Sequence, residues 1–137
     1  TAKLCGTIRY FKDEVYEIAR SRMEALCKGM AEAYGVEIKL DARNIFDVLH
    51  NDSELSDAYL EAAADIVGAE NVSSDAAPAT GSEDFADMLK IVPGSYCRLG
   101  HTGTIGLHNP SFVLGQEILP VGASIMARIV ERRLPLN

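Results

Sequence analysis

The sequence predicts an α/β fold, and three observations carry that prediction. The chain opens as strand, helix and strand. A second helix with a single apolar face follows, and a further strand and a closing helix come near the end. In the first strand, residues 4–11, Leu4, Gly6, Ile8 and Tyr10 fall on one face and Cys5, Thr7, Arg9 and Phe11 on the other. A long helix is predicted over 13–34. Val15, Ile18, Ala19, Met23, Leu26, Met30 and Ala33 form its apolar stripe, Asp13 and Glu14 suit its N-terminal end, and Gly35 can cap its C-terminus. Residues 36–42 alternate again, with Val36, Ile38 and Leu40 against Glu37, Lys39 and Asp41, as a strand with one wet face would.

Residues 43–49 have no clean period and read as an extended connector. The second helix follows, with Leu55, Ala58, Tyr59, Ala62, Ala63, Ile66 and Val67 on one face. Asn51 and Glu54 resemble a capping box at its start, and Gly68 ends it. After a loop rich in Ser, Ala and Pro, Ser82 can cap a short helix over 83–90. Pro93-Gly94 is a turn, 95–99 a strand, and 100–110 a Gly-rich loop. Pro120 suits the first turn of a last helix running to about Arg133, in which Gly122, Ala123 and Ser124 permit close packing. A boundary falls near His50–Asn51, where a sheet-like unit gives way to a mostly helical one.

Composition excludes several functions. Of 137 residues 47% are hydrophobic and 24% charged, as in an ordinary globular protein. A net charge of −7 opposes both a nucleic-acid surface and an anionic membrane. No apolar run reaches the roughly 18–20 residues that span a bilayer. The opening Thr1-Ala2-Lys3-Leu4 reads as the interior of a longer reading frame, not as a signal peptide. Cys5, Cys27 and Cys97, an odd set without CxxC spacing, read as reduced, cytoplasmic thiols serving as small buried hydrophobes.

Three places offer chemistry. His108 lies in a loop with Gly103, Gly106 and Pro110. It reads either as a loop histidine bonded to a carbonyl or as a metal ligand held at a set place. Ser82-Glu83-Asp84 reads as a capped, acidic helix start, or as the rim of a cleft where Ser82 and backbone N–H groups meet an anionic substrate group. Arg9 reads as a surface arginine, or as a fork for a carboxylate. His101 shares the loop of His108, and His50 reads as solvated. The P-loop, GxSxG, HExxH and GxGxxG patterns are all absent from the sequence.

At these residues the chain resembles the C-terminal part of the binuclear-metal amidohydrolases that include hippurate hydrolase, the aminoacylases and the auxin-conjugate hydrolases. The resemblance runs in order through Gly6-Thr7-Ile8-Arg9, the helix from Asp13 to Gly35, Gly81-Ser82-Glu83-Asp84-Phe85, Val92-Pro93-Gly94, Leu107-His108-Asn109-Pro110 and Leu119-Pro120-Val121-Gly122-Ala123. It implies that residues 1–50 are the second half of a ferredoxin-like lid or dimerisation domain, a strand–helix–strand piece. Residues 51–137 would then be the C-terminal part of an α/β zinc-hydrolase domain.

The implied reaction is hydrolysis of an N-acyl amino acid to a carboxylic acid and an amino acid, with two zinc or manganese ions polarising the amide and activating water. By the same match His108 is a metal ligand, and Arg9, Gly81, Ser82 and Asn109 stand near the substrate. The family's other ligands and its general-base glutamate lie before the region matched. The chain alone is therefore expected to hold no metal tightly and to have no activity. Val113-Leu114-Gly115-Gln116-Glu117 also departs from the family's more usual Phe-Asn-Asp-Glu.

Unpaired lid strands predict a homo-oligomer through their edges. Two other readings stand beside this one. The first is a non-catalytic dimerisation or interaction module derived from such an enzyme. The second is a small enzyme with a mononuclear metal site built from Glu83, His101 and His108.

Overall fold

The computed structural model describes residues 1–135. The chain divides into two compact units, Thr1–His50 with Pro78–Val92, and Asn51–Ala77 with the chain from Pro93 onward.

In the first unit the long helix forms where periodicity places it, as α1, Asp13–Tyr34. Asp13 and Glu14 occupy the first turn, where carboxylates suit the dipole. Gly35 ends the helix in the left-handed region at φ 63°, and the Val36 N–H reaches back to the Ala31 carbonyl at 3.1 Å in a Schellman-type closure. The half-covered stripe runs Tyr16, Ala19, Met23, Cys27 and Ala31, displaced from the predicted one. Val15, Ile18, Leu26 and Met30 of the predicted stripe are exposed, and no residue of α1 is buried. A short helix, Phe85–Leu89, also belongs to this unit and buries Ala86. It starts two residues later than predicted, so that Asp84 and not Ser82 stands at its N-cap, and it has no side-chain cap.

The α/β prediction is corrected here. Segments 4–11, 36–42 and 95–99 form no strand, and the described residues contain no sheet. Neither the ferredoxin-like half-lid nor an α/β hydrolase portion is therefore seen. The physical reason is that a strand, unlike a helix, satisfies its backbone only through a neighbour about 4.7–4.9 Å away. The backbone bonds outside the helices are turn, loop and cap bonds, and none joins 4–11 to 36–42. The alternating side chains have no covering layer, as Leu4, Val36, Ile38 and Leu40 show by their exposure. Without strands, the edges through which the sequence predicts self-association are not formed either.

The second unit is built on α2, Ser53–Val67, and α4, Ile118–Arg133, α3 being the short Phe85–Leu89 helix. The cap of α2 is Asp52, whose Oδ1 accepts the Leu55 N–H at 3.0 Å. Asn51, the predicted cap, instead pairs with the backbone of Tyr96. It donates to the carbonyl at 2.9 Å and accepts from the N–H at 2.8 Å. Together with the Asp52 N–H to Gly94 carbonyl bond at 2.9 Å, this fastens segment 94–96 to the start of α2.

The helices α2 and α4 pack through Ala62, Ala63 and Ile125, all buried. Small alanines let the backbones approach. Their outer rim is ionic: Arg128 Nε and Arg132 Nη1 both donate to Asp65 Oδ2, at 2.8 and 2.9 Å, and Arg132 also pairs with Glu61. Pro120 falls in the first turn of α4, as predicted.

The core is small. Accessible surface totals 11307 Å², against about 8,000 Å² for two independently folded units of this combined mass. Among the described residues no helix is long and apolar enough to cross a membrane. The cysteines are free thiols; Cys27 and Cys97 are half-buried, but Cys5 is exposed, against the prediction that all three are buried.

Candidate functional site

The predicted site residues fall into two groups, one in each unit. In the first, Arg9 and Ser82, 73 residues apart in sequence, meet directly: Arg9 Nη1 donates to Ser82 Oγ at 2.8 Å. Arg9, Phe11, Phe46, Gly81, Ser82 and Glu83 line a cavity of about 100 Å³. Among the described residues Arg9 pairs with no carboxylate, and its hydrogen bond is to a neutral hydroxyl.

Around this cavity a polar chain ties three segments together. The Tyr10 hydroxyl donates to Asn44 Oδ1 at 2.9 Å, the Asn44 amide bonds Asp47, and Asp47 pairs with Lys90. Burial, then the nearby Asp13 carboxylate, pushes the Tyr10 phenol up from its ordinary value, which keeps it a neutral donor.

The second group is the loop that carries His108 and Asn109. His108 has φ 66°, the one non-glycine residue with positive φ among the described residues. Histidine tolerates this region better than most residues, yet the conformation is sparsely populated and persists only where the surroundings hold it. The holding bonds are local. Asn109 Oδ1 accepts the Ser111 N–H at 2.9 Å, and the Phe112 N–H bonds the Asn109 carbonyl at 2.9 Å. His108 is exposed, so its ring is open to a ligand.

His101 is half-buried, edge-on to Phe112 with centroids 5.5 Å apart, and its Nδ1 accepts the Gly103 N–H at 3.0 Å. Its Nδ1 is thus committed to the loop itself. No group of three or more His, Cys, Asp or Glu able to hold a metal occurs among the described residues, so Glu83, His101 and His108 do not make a self-contained centre. A single open imidazole fits a metal only as one ligand of a larger set.

Sequence reasoning passed over one pair here. Thr102 Oγ1 donates to Glu117 Oε1 at 2.6 Å and so closes the loop. That bond, with backbone N–H donors, holds the Glu117 carboxyl below the usual carboxylate range. The available signal was Gly103 and Gly115, each two residues from a side chain that fills the space a Cβ would need.

The order of these segments along the chain is that of a known family. The family model for peptidase family M20/M25/M40 matches residues 6–132, and the chain belongs to that family. Its enzymes are metal-dependent hydrolases. The chain is 28% identical over 128 residues to the hippurate hydrolase of Campylobacter jejuni, covering 93% of this chain and 33% of that protein. It is 30% identical to the N-acetylcysteine deacetylase of Bacillus subtilis, over 93% of this chain and 33% of the other. It is also 30% identical to the N-acetyldiaminopimelate deacetylase of Shouchella clausii, over 98% of this chain and 36% of the other. The chain thus spans about a third of the length of the curated relatives it matches. No solved structure matches it.

Proposed function

We propose that this chain is the C-terminal portion of a metal-dependent amidohydrolase that cleaves N-acyl amino acids, and that it is inactive alone. Within that enzyme residues 1–50 belong to the lid and 51–137 to the catalytic domain. The observation that carries the reading is the Arg9–Ser82 pair at its small cavity. An arginine without a carboxylate partner, beside a hydroxyl, suits the carboxylate that every N-acyl amino acid carries.

A cavity of about 100 Å³ admits that end of the substrate and leaves the acyl group outside it. Arg9 and Ser82 bind the carboxylate and the Gly81 backbone borders it, while the family match by itself gives Asn109, in the other unit, a substrate-contacting role. His108 supplies one ligand to a pair of zinc or manganese ions. Those ions, when bound, polarise the amide carbonyl and lower the pKa of a water. Thiols left reduced and a dimeric enzyme in the cytoplasm complete the reading.

The test is a titration of the chain with N-acetyl amino acids and with their carboxamides, followed at the Arg9 guanidinium NMR signal. The acids are expected to shift it and the amides not to. Arg9→Gln, which lacks that signal and is followed by calorimetry beside the unmutated chain, should weaken binding of the acids by about 10-fold or more, the worth of a charge-assisted pair. Equal responses to acid and amide would overturn the assignment.

A second reading, that the chain is a non-catalytic interaction or dimerisation module, is favoured by one observation. Cys27, Ala31, Val36, Ile38 and Leu40 border an open groove of about 510 Å³, next to the exposed Leu26 and Met30. A monodisperse monomer in light scattering at high concentration would count against it.

A further inference from the structure

We propose that Thr102 and Glu117 form a clasp that positions His108, making Glu117 a positioning residue for the site. The hydroxyl-to-carboxylate bond at 2.6 Å joins the two ends of the loop, and His108 lies between them. A second tie overlaps the first, where the His101 and Phe112 rings stand nearly perpendicular with centroids 5.5 Å apart. The positive φ of His108 sits in a turn closed by a long 3.4 Å bond from the Asn109 N–H to the Gly106 carbonyl, and the clasp fixes the ends of the segment that carries this turn.

Two glycines show that the clasp is built into the local sequence. A Cβ at Gly103 would lie 2.2 Å from His101 Cε1, and one at Gly115 would lie 2.2 Å from Glu117 Oε1. The Glu117 carboxylate is the mobile end of a side chain and would yield to a Cβ at 115, but in yielding it would leave Thr102. Glycine at 115 is therefore what lets the carboxylate reach across. This explains a residue that no direct ligand role requires: Glu117 acts on His108 through the loop, without touching it.

The inference rests on His108 being the functional group of the loop, but its test involves no metal. The chain is compared with Thr102→Val, Gly115→Ala and the conservative Thr102→Ser. Two readouts are used: amide exchange at Gly103, Ser111 and Phe112, whose N–H groups are bonded within the loop, and the ring carbon–proton signal of His108. Thr102→Val and Gly115→Ala should each speed exchange at those amides about 3–10-fold, the loss of one modest hydrogen bond, and should shift and broaden the His108 signal. The α2 and α4 amides should stay protected, and Thr102→Ser should restore both readouts.

An unmoved His108 signal, or an acceleration spread equally over α2 and α4, overturns the clasp. If His108 proves not to bind metal, the proposed function fails while these readouts stand unchanged.

Discussion

The helix α1 and the pair α2–α4 make an instructive contrast. The first is the longest element, 22 residues, and buries none of them. The pair is assembled from shorter helices, and it holds three of the four buried hydrophobic residues among those described, Ala62, Ala63 and Ile125. Both regions satisfy their backbone internally, so both form. Among the described residues only α2 and α4 pack as one α-helix on another, whereas α1 is half-covered along one stripe. Helix formation and core formation are thus separate events, and tertiary stability resides where two apolar faces meet.

The largest test of that contrast is at Ile125. Ile125→Ala should cost about 2–4 kcal/mol, because it leaves a void between packed helices, whereas Leu26→Ala, on the exposed face of α1, should cost less than about 0.5 kcal/mol. Urea unfolding followed by circular dichroism and by amide exchange in each helix separates the two, and equal losses would erase the distinction drawn here.

A smaller effect is expected at Asn51, whose side chain replaces a strand partner for Tyr96. Asn51→Ala removes two hydrogen bonds and should cost about 1–2 kcal/mol, read as lost protection of the Tyr96 amide. Unchanged protection would show that Gly94 and Ser95 hold the segment without it.

The smallest is electrostatic. The hydrogen bond from Arg128, aided by Arg132, holds the Asp65 carboxyl below its ordinary value. A carboxyl depressed in the folded state stabilises fully above the ordinary carboxylate range. That contribution is lost as pH falls below the range and through the lowered value. The melting-temperature difference between the unmutated chain and Asp65→Asn should therefore be constant near neutrality and close as acid is added. Added salt should shrink it as well, since the pair is partly solvated. A difference that persists in acid would assign the effect to packing.

Much of this was legible in the sequence, unevenly. Residues 13–34 carry their own periodicity, acidic first turn and terminal glycine, and the helix has those bounds. The cap of α2 was misplaced by one residue, because Asn51 and Asp52 are equally good caps and only the position of Tyr96 selects between them. Arg9 and Ser82 were each legible as candidates, but nothing in a linear string brings residues 73 apart together. Thr102 and Glu117 were not legible as a pair, for the same reason.

By itself the sequence determined the helices and the family. A helix closes its bonds within four residues, and a family is written in ordered local motifs. Tertiary structure decided the rest. The alternating segments 4–11, 36–42 and 95–99 have the pattern of strands, but no strand pairs with them among the described residues, and a strand exists only as a pair. Arg9 acquires a partner only when a distant side chain arrives within hydrogen-bonding reach.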